Sequence, residues 1–408
     1  MAPLIARSAR YRVGIGCEEI MLRELRKQQS LTQEELAERV GVSVGTLKRW
    51  ESGRQRPFPS QRRHLCEVLE VSPEELRFQT EEDEEEMKRR QFLSGLAATG
   101  GLLWLGQDPL EPPTLQDFEE INRQYGSWFW RLSPGAIQPL LREQQRRLLE
   151  AITRVGSSKL RAPLGSLAAQ TTVMYGLTSI RQADPTVSEE RFLAAARLAQ
   201  LAGDRDSEVM AMIAQRTLHI GPSPVEPRPH DGGYQILEQA ARVISPTAPA
   251  TLRTWLNCCL AEDAGALGRE TVAMRHLEDA ERSFTQISPE QLVGYYDHWD
   301  AIRLEGWRAS TLLALGQPAK AAPILEVVAA QTPPELIGPR SAVVTDRGDA
   351  YGHAGEVELA CSILGEAWQT AYQGGDREMM TRTRRVQQRL AARTDSPALG
   401  QLAQLMAS

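Results

Sequence analysis

The stretch that decides the N-terminal fold is residues 32–53, TQEELAERVGVSVGTLKRWESG. Thr32 and Glu35 have the spacing of a capping box, in which each side chain bonds the backbone N–H of the other residue. The pattern therefore predicts a helix that starts at Gln33. It ends at Gly41, because glycine tolerates the left-handed backbone found at helix C-termini. One face of this helix is apolar and carries Leu36, Ala37 and Val40.

A second short helix follows after one tight turn. Ser43 can cap it, the pattern predicts that it spans residues 44–51, and Gly53 lies just past its end. Leu47 and Trp50 form its inward face. Two short helices in this arrangement are typical of a helix-turn-helix, whose second helix enters the major groove of DNA.

The stretch resembles the phage repressor or XRE family of helix-turn-helix regulators. The flanks extend the resemblance: a first helix is predicted over residues 18–29, a fourth from a cap at Ser60 to Leu69, and a fifth from a cap at Ser72. The resemblance implies a five-helix, all-α domain over residues 18–78. The residues that carry it are Thr32, Gln33, Leu36, Ala37, Gly41, Val42, Ser43, Leu47, Trp50, Glu51 and Gly53.

In this family the outer face of the second helix contacts base edges. Arg49 is the strongest candidate, because a guanidinium bonds guanine in bidentate fashion, which contributes about 1–3 kcal/mol of discrimination. Glu51 is expected to pair within the domain instead. The predicted base contacts are Val44, Gly45, Thr46, Lys48 and Arg49. The predicted phosphate contacts are Gln33, Ser43, Ser52, Arg54 and Arg56; for the two arginines a solvated surface charge is the alternative.

The length of the chain and its charge distribution both indicate two different parts. A chain of 408 residues exceeds the roughly 60–80 that such a domain needs, so a second unit must follow. Residues 1–78 carry 14 Lys and Arg against 11 Asp and Glu, whereas the remainder carries 33 against 42. This asymmetry is typical of a basic nucleic-acid module attached to an acidic body. The predicted segments are a basic extension (1–17), the DNA-binding domain (18–78), a linker segment (79–113) and a repeat domain (114–408).

Two segments outside the domains leave alternatives open. The extension carries Arg7, Arg10 and Arg12 and is either a disordered tail or an arm along the DNA backbone. Residues 88–106, KRRQFLSGLAATGGLLWLG, resemble a twin-arginine export signal, but a genuine signal stands at the N-terminus. We therefore interpret this run as an apolar helix that packs between domains or across a dimer. Peripheral membrane contact and export are the alternatives.

Internal repetition is visible in the C-terminal part. Gly268, Gly316 and Gly355 are each followed by an alanine five residues later and a leucine nine residues later. In a helical hairpin the glycine turns the chain, the alanine permits close packing, and the leucine fills the layer. This resembles the tetratricopeptide repeat and predicts an α-solenoid over about residues 160–393, with residues 114–157 as a capping layer. A plain helical bundle is the alternative.

The sequence offers no catalytic constellation. Five cysteines show no C-x-x-C pair, so we expect free thiols in a reducing cytoplasm. Asp297, His298 and Asp300 could be drawn as a metal site, but neighbouring residues point to different faces of a helix. Trp299 and Trp307 are predicted to be core residues. No enzyme activity, cofactor or metal is expected.

These features predict a cytoplasmic, nucleoid-associated transcriptional regulator that binds double-stranded DNA in a sequence-specific manner as a homodimer. The resemblance implies that the repeat domain supplies the dimer contacts and that its groove captures a signalling peptide or protein partner. Membrane association is not expected. The alternative is a protein-interaction scaffold that is attached to the membrane or exported through residues 88–106.

Overall fold

The structure is a computed structural model, and its description covers residues 17–51, 59–69, 71, 113–220 and 231–407. These residues form eighteen α-helices and three 3-10 turns, and no β-strand occurs among them. The all-α prediction is confirmed. The chain divides into two compact units, residues 1–111 and 112–408, which we call the N-terminal unit and the repeat unit.

The N-terminal unit contains four described helices: α1 (Cys17–Gln28), α2 (Gln33–Val40), α3 (Val44–Glu51) and α4 (Pro59–Leu69). The predicted capping box is present, since the Thr32 N–H donates to the Glu35 carboxylate at 2.7 Å and the Glu35 N–H donates to Thr32 Oγ1 at 3.1 Å. Gly41 ends α2 with φ +73°. The bounds predicted for α2 and α3 are confirmed.

Three predicted bounds need correction. The first helix begins at Cys17 and not at Glu18, and it ends at Gln28 and not at Gln29. The fourth begins at Pro59, so Ser60 lies in its first turn instead of capping it; proline is well suited to that first position because it lacks the N–H that a helix start leaves unpaired. The predicted fifth helix after Ser72, the arginines of the extension and the run at 88–106 lie outside the described residues.

The core of the N-terminal unit joins all four helices. Apolar residues recur three and four apart on each helix and meet in one cluster. Leu36 and Leu47, from the two helices of the predicted motif, are fully buried. The cluster consists of Leu22, Leu36, Ala37, Val40, Leu47, Trp50, Leu65 and Leu69.

The repeat unit is a succession of helices in which each packs on its neighbours along the chain. This is the arrangement of an α-solenoid, and the predicted fold class is confirmed. Its helices are α5 (Leu115–Trp128), α6 (Pro134–Arg154), α7 (Ser158–Arg181), α8 (Pro185–Ala202), α9 (Arg205–Arg216), α10 (Gly232–Val243), α11 (Ala250–Ala266), α12 (Glu270–Phe284), α13 (Ala301–Ala314), α14 (Pro318–Gln331), α15 (Ile337–His353), α16 (Val357–Gln373), α17 (Arg377–Ala391) and α18 (Pro397–Ala407).

The three glycines of the repeat signature stand at helix-to-helix turns. Gly268, Gly316 and Gly355 have φ of +70°, +69° and +85°, a backbone region that glycine adopts without steric cost. They separate α11 from α12, α13 from α14, and α15 from α16. The alanines and leucines of the signature are all buried: Ala273, Leu277, Ala321, Leu325, Ala360 and Leu364. The predicted hairpins are confirmed.

Helices at the start of the repeat unit also contact helices far along the chain. The Ile337 N–H donates to the Trp130 carbonyl at 3.0 Å. Arg181 at the end of α7 forms a buried ion pair with Asp376 at 2.8 Å. Gly126 of α5 lies so close to residue 295 that a Cβ added there would be 2.4 Å from the Tyr295 nitrogen. The solenoid therefore curves back on its own first helices.

Candidate functional site

A buried carboxylate fixes α3 on the rest of the N-terminal unit. The Glu51 side chain is 1% exposed and accepts hydrogen bonds from Arg26 of α1 and from Gln33 of α2, the latter at 2.6 Å. Burial by itself raises the pKa of Glu51, but the bonds from Arg26 and Gln33 outweigh it and hold the pKa below its ordinary value. The prediction that Glu51 pairs within the domain is confirmed.

The N-terminus of α3 is capped. The Thr46 N–H donates to Ser43 Oγ at 3.1 Å, and the two hydroxyl oxygens lie 2.9 Å apart. The predicted cap at Ser43 is therefore confirmed. Backbone N–H groups at such a helix start carry partial positive charge, so this end of α3 favours an anion such as a phosphate.

The predicted base contacts differ in their solvent exposure. Gly45 and Lys48 are exposed, and Thr46 is half-buried beside its hydroxyl partner Ser43. Val44 is also half-buried and packs against the core, so the expectation that it points freely outward needs correction. Arg49 belongs to α3, but its side chain lies outside the described residues.

The structure describes the side chains of only two of the five predicted phosphate contacts, Gln33 and Ser43. One amide hydrogen of Gln33 is used on Glu51, which leaves the second for another acceptor. The Ser43 hydroxyl serves as the cap. Ser52, Arg54 and Arg56 lie outside the described residues. Contacts of all ten residues with DNA stay predictions.

The repeat unit contains a cavity of about 170 Å³, which we call the arginine cavity. It lies among α9, α11, α13, α14, α15 and α17, and three arginines line it: Arg216, Arg303 and Arg382. Sequence reasoning did not identify this site, because its residues come from positions 216 to 382 and only the packing of the hairpins brings them together.

Two of these arginines have carboxylate partners. Buried Arg216 of α9 bonds both Glu262 and Asp263 of α11. Arg382 of α17 bonds Asp346 of α15, which also accepts from Ser310 at 2.9 Å. Burial raises the pKa of Asp346 to about 6 in spite of Arg382.

Arg303 differs from the other two arginines. Its Nε atom is buried without a hydrogen-bond partner, and its guanidinium carbon lies 5.6 Å from the ring centroid of Trp307. Burial lowers the pKa of Arg303. The nearby Asp300 caps α13 by accepting from the Arg303 backbone N–H at 2.7 Å. Arg303 and Trp307 are four residues apart on one helix, a spacing that could have drawn attention to the pair.

The structure tests the roles predicted for the two tryptophans and for the suggested metal site near Arg303. Trp299 is a core residue, as predicted, whereas Trp307 is half-buried and lines the arginine cavity, so its prediction is wrong in part. Asp297 bonds Ser127 at 2.7 Å and Arg131, and so does not converge with His298 and Asp300. Among the residues that the structure describes, no group of three or more His, Cys, Asp or Glu could hold a metal ion.

No helix in the described ranges combines the length and the apolarity that crossing a membrane requires. Burial raises the pKa of the Cys259 thiol to about 12, so this thiol stays protonated near neutral pH.

Comparison with known proteins identifies the N-terminal domain. Residues 20–78 match a family model described as a helix-turn-helix domain. No curated protein matches the chain. The chain is similar to the crystal structure of PlcR of Bacillus thuringiensis in complex with the peptide PapR7 and DNA, with 10% identity, a TM-score of 0.29, and coverage of 88% of this chain and 97% of that one. It is also similar to ComR from S. thermophilus in complex with DNA and its signalling peptide ComS, with 13% identity, a TM-score of 0.25, and coverage of 92% and 99%.

Proposed function

We propose that this chain is a transcriptional regulator that binds specific sites on double-stranded DNA through α3. The observation that carries the proposal is the attachment of α3 within a domain that matches the helix-turn-helix model. The Glu51 network fixes its C-terminal end, the Ser43 cap orders its first turn, and Lys48 is left exposed. A rigid helix with a free outer face is what major-groove readout requires.

Affinity and specificity come from different groups in this proposal. Lys48 and Arg49 read base edges, with Thr46 and Gly45 allowing close approach of the helix to the groove. Gln33, Ser43 and the basic residues Arg54 and Arg56 bind phosphates and fix the register. Val44 packs on the core, so it contributes at most an apolar contact with a base.

The regulator acts as a homodimer in the cytoplasm, on the nucleoid. One recognition helix covers only a half-site and supplies too little affinity for a specific complex, so two are needed about one helical turn apart. The repeat unit holds the two protomers together and senses a peptide or protein partner. The arginine cavity supports the sensing role, because pockets that combine apolar side chains with convergent polar groups are typical of ligand sites.

The experiment that tests the proposal is selection of genomic DNA fragments by the purified protein at about 50 mM and 200 mM salt, followed by sequencing. The expected result is a palindromic motif that persists at the higher salt. Retention that collapses with salt and contains no motif would mean contact with phosphates alone. It would contradict the proposal and favour an interaction scaffold.

A further inference from the structure

The three arginines of the arginine cavity are bonded unequally. Arg216 and Arg382 each bond a carboxylate, whereas the Nε atom of Arg303 is buried without a hydrogen-bond partner. Removing a cation from water without a partner costs free energy, so proteins pair such groups or use them for ligands. Arg303 is therefore a candidate for binding an anionic ligand.

The surroundings hold Arg303 in place for such a role. Its guanidinium lies over Trp307, a contact that restrains the side chain without neutralising its charge. The indole Nε1 of Trp307 is likewise buried with no partner and is a second donor. Asp300, the nearest acid along the chain, is engaged in capping α13. Two buried donors one helical turn apart thus lack an acceptor.

The chemistry of the cavity favours a carboxylate over a phosphate. The planar guanidinium matches two oxygens of either group, so the number of negative charges decides between them. Arg216 and Arg382 are already bonded to carboxylates, so one negative charge on the ligand suffices. The carboxylates of Glu262, Asp300 and Asp346 also line the cavity and would repel a dianion more strongly than a monoanion.

Part of the cavity wall is apolar. Val328, Leu336 and Val343 face the same cavity as Arg303. Its volume of about 170 Å³ is close to the ~150 Å³ of an apolar cavity that holds benzene in another protein. The cavity therefore has room for about one aromatic or branched aliphatic group next to the carboxylate.

We propose that the arginine cavity binds a monocarboxylate that bears one apolar group, with the carboxylate on Arg303 and the indole N–H of Trp307. The ligand is either a free organic acid or the C-terminal residue of a peptide, since both present the same chemistry. This proposal specifies the ligand of the sensing role in the proposed function. Binding of the acid does not depend on that function, whereas an effect of the acid on DNA binding rests on it.

The binding test uses the full chain and matched probes in isothermal titration calorimetry. Phenylacetate is compared with phenylacetamide, and the peptide Ala-Ala-Ala-Phe with a free C-terminus is compared with its amidated form. We expect each acid to bind at least about tenfold more tightly than its amide, because hydrogen bonds to charged groups are the stronger ones. The tighter acid identifies the source, free acid or peptide. Failure of both acids to bind, or equal affinity of acid and amide, would overturn the proposal.

The variant that tests the assignment is Arg303→Met, and the matched control is Arg308→Met. Arg308 lies on the same helix, bonds Glu281 and Glu305, and does not line the cavity. Acid binding should be lost in Arg303→Met and kept in Arg308→Met. Acid binding that survives in Arg303→Met would overturn the assignment.

A second readout needs no ligand. Arg303→Met removes a half-buried charge whose Nε atom has no hydrogen-bond partner and should raise the Tm of the ligand-free protein by about 2 °C, whereas Arg308→Met removes paired charge and should not raise it. A fall in Tm for Arg303→Met would mean that the residue is structural and would contradict the proposal. These measurements involve no DNA, so their failure is distinguishable from failure of the regulator proposal.

Discussion

Replacing Glu51 by alanine should strongly destabilise the helix-turn-helix without removing any group that faces DNA. Its side chain is 1% exposed and that of Arg26 is 11% exposed, so the substitution leaves a buried guanidinium without its counter-charge. Breaking a buried pair in this way costs about 3–5 kcal/mol. A domain of roughly 60 residues has about 3–9 kcal/mol of stability, so the substitution removes from about a third to all of it.

Hydrogen exchange followed by mass spectrometry on the full chain measures this locally. Peptides from residues 22–51 should lose protection in Glu51→Ala, while peptides from residues 115–407 keep theirs. The control is Glu24→Ala, whose exposed partner Lys27 lies 3.3 Å away and contributes less than about 1 kcal/mol. Protection of residues 22–51 equal to that of the unmodified protein would refute the assignment of Glu51 as the group that fixes α3.

The remaining predictions concern pH and close packing. Because the fold lowers the pKa of Glu51, its pairing contributes fully above about pH 4.5 and is lost as the pH falls through the lowered value, so acid should reduce exchange protection of residues 22–51. This pH dependence should be smaller in Glu51→Ala, and equal dependence would argue against Glu51 as its source. Gly126→Ala should destabilise the repeat unit by about 1–3 kcal/mol in thermal unfolding, because its methyl group would meet the Tyr295 backbone. Gly135→Ala is the control, since a Cβ there meets nothing within 4 Å, and an equal Tm for the two variants would contradict the close approach.

Features encoded within a few residues were predictable from the sequence. Thr32, Glu35 and Gly41 act on a single helix, and the structure contains both the cap and the positive φ that they predict. The hairpin glycines are local in the same sense, because each turn involves only the helices on either side of it. The limits of such reasoning appear at Ser60, where proline at the preceding position starts the helix earlier.

Features that depend on the path of the whole repeat unit were not predictable. Arg181 and Asp376 are 195 residues apart, and nothing in either local sequence indicates the pair. Trp307 has the helical spacing of a core residue, yet the curvature of the solenoid places it on a cavity wall. Whether an arginine is paired or unpaired depends on such distant neighbours, so Arg303 could be distinguished from Arg216 only in the structure.

The central claim is that α3 reads bases while flanking residues bind phosphates, and one measurement addresses it directly. It is the affinity of Arg49→Ala and Arg54→Ala for the selected operator and for copies altered at each position. The account predicts that Arg49→Ala weakens operator binding and relaxes preference at one position, by about 1–3 kcal/mol, while Arg54→Ala weakens binding to all sequences about equally. Unchanged operator affinity in both variants would contradict it.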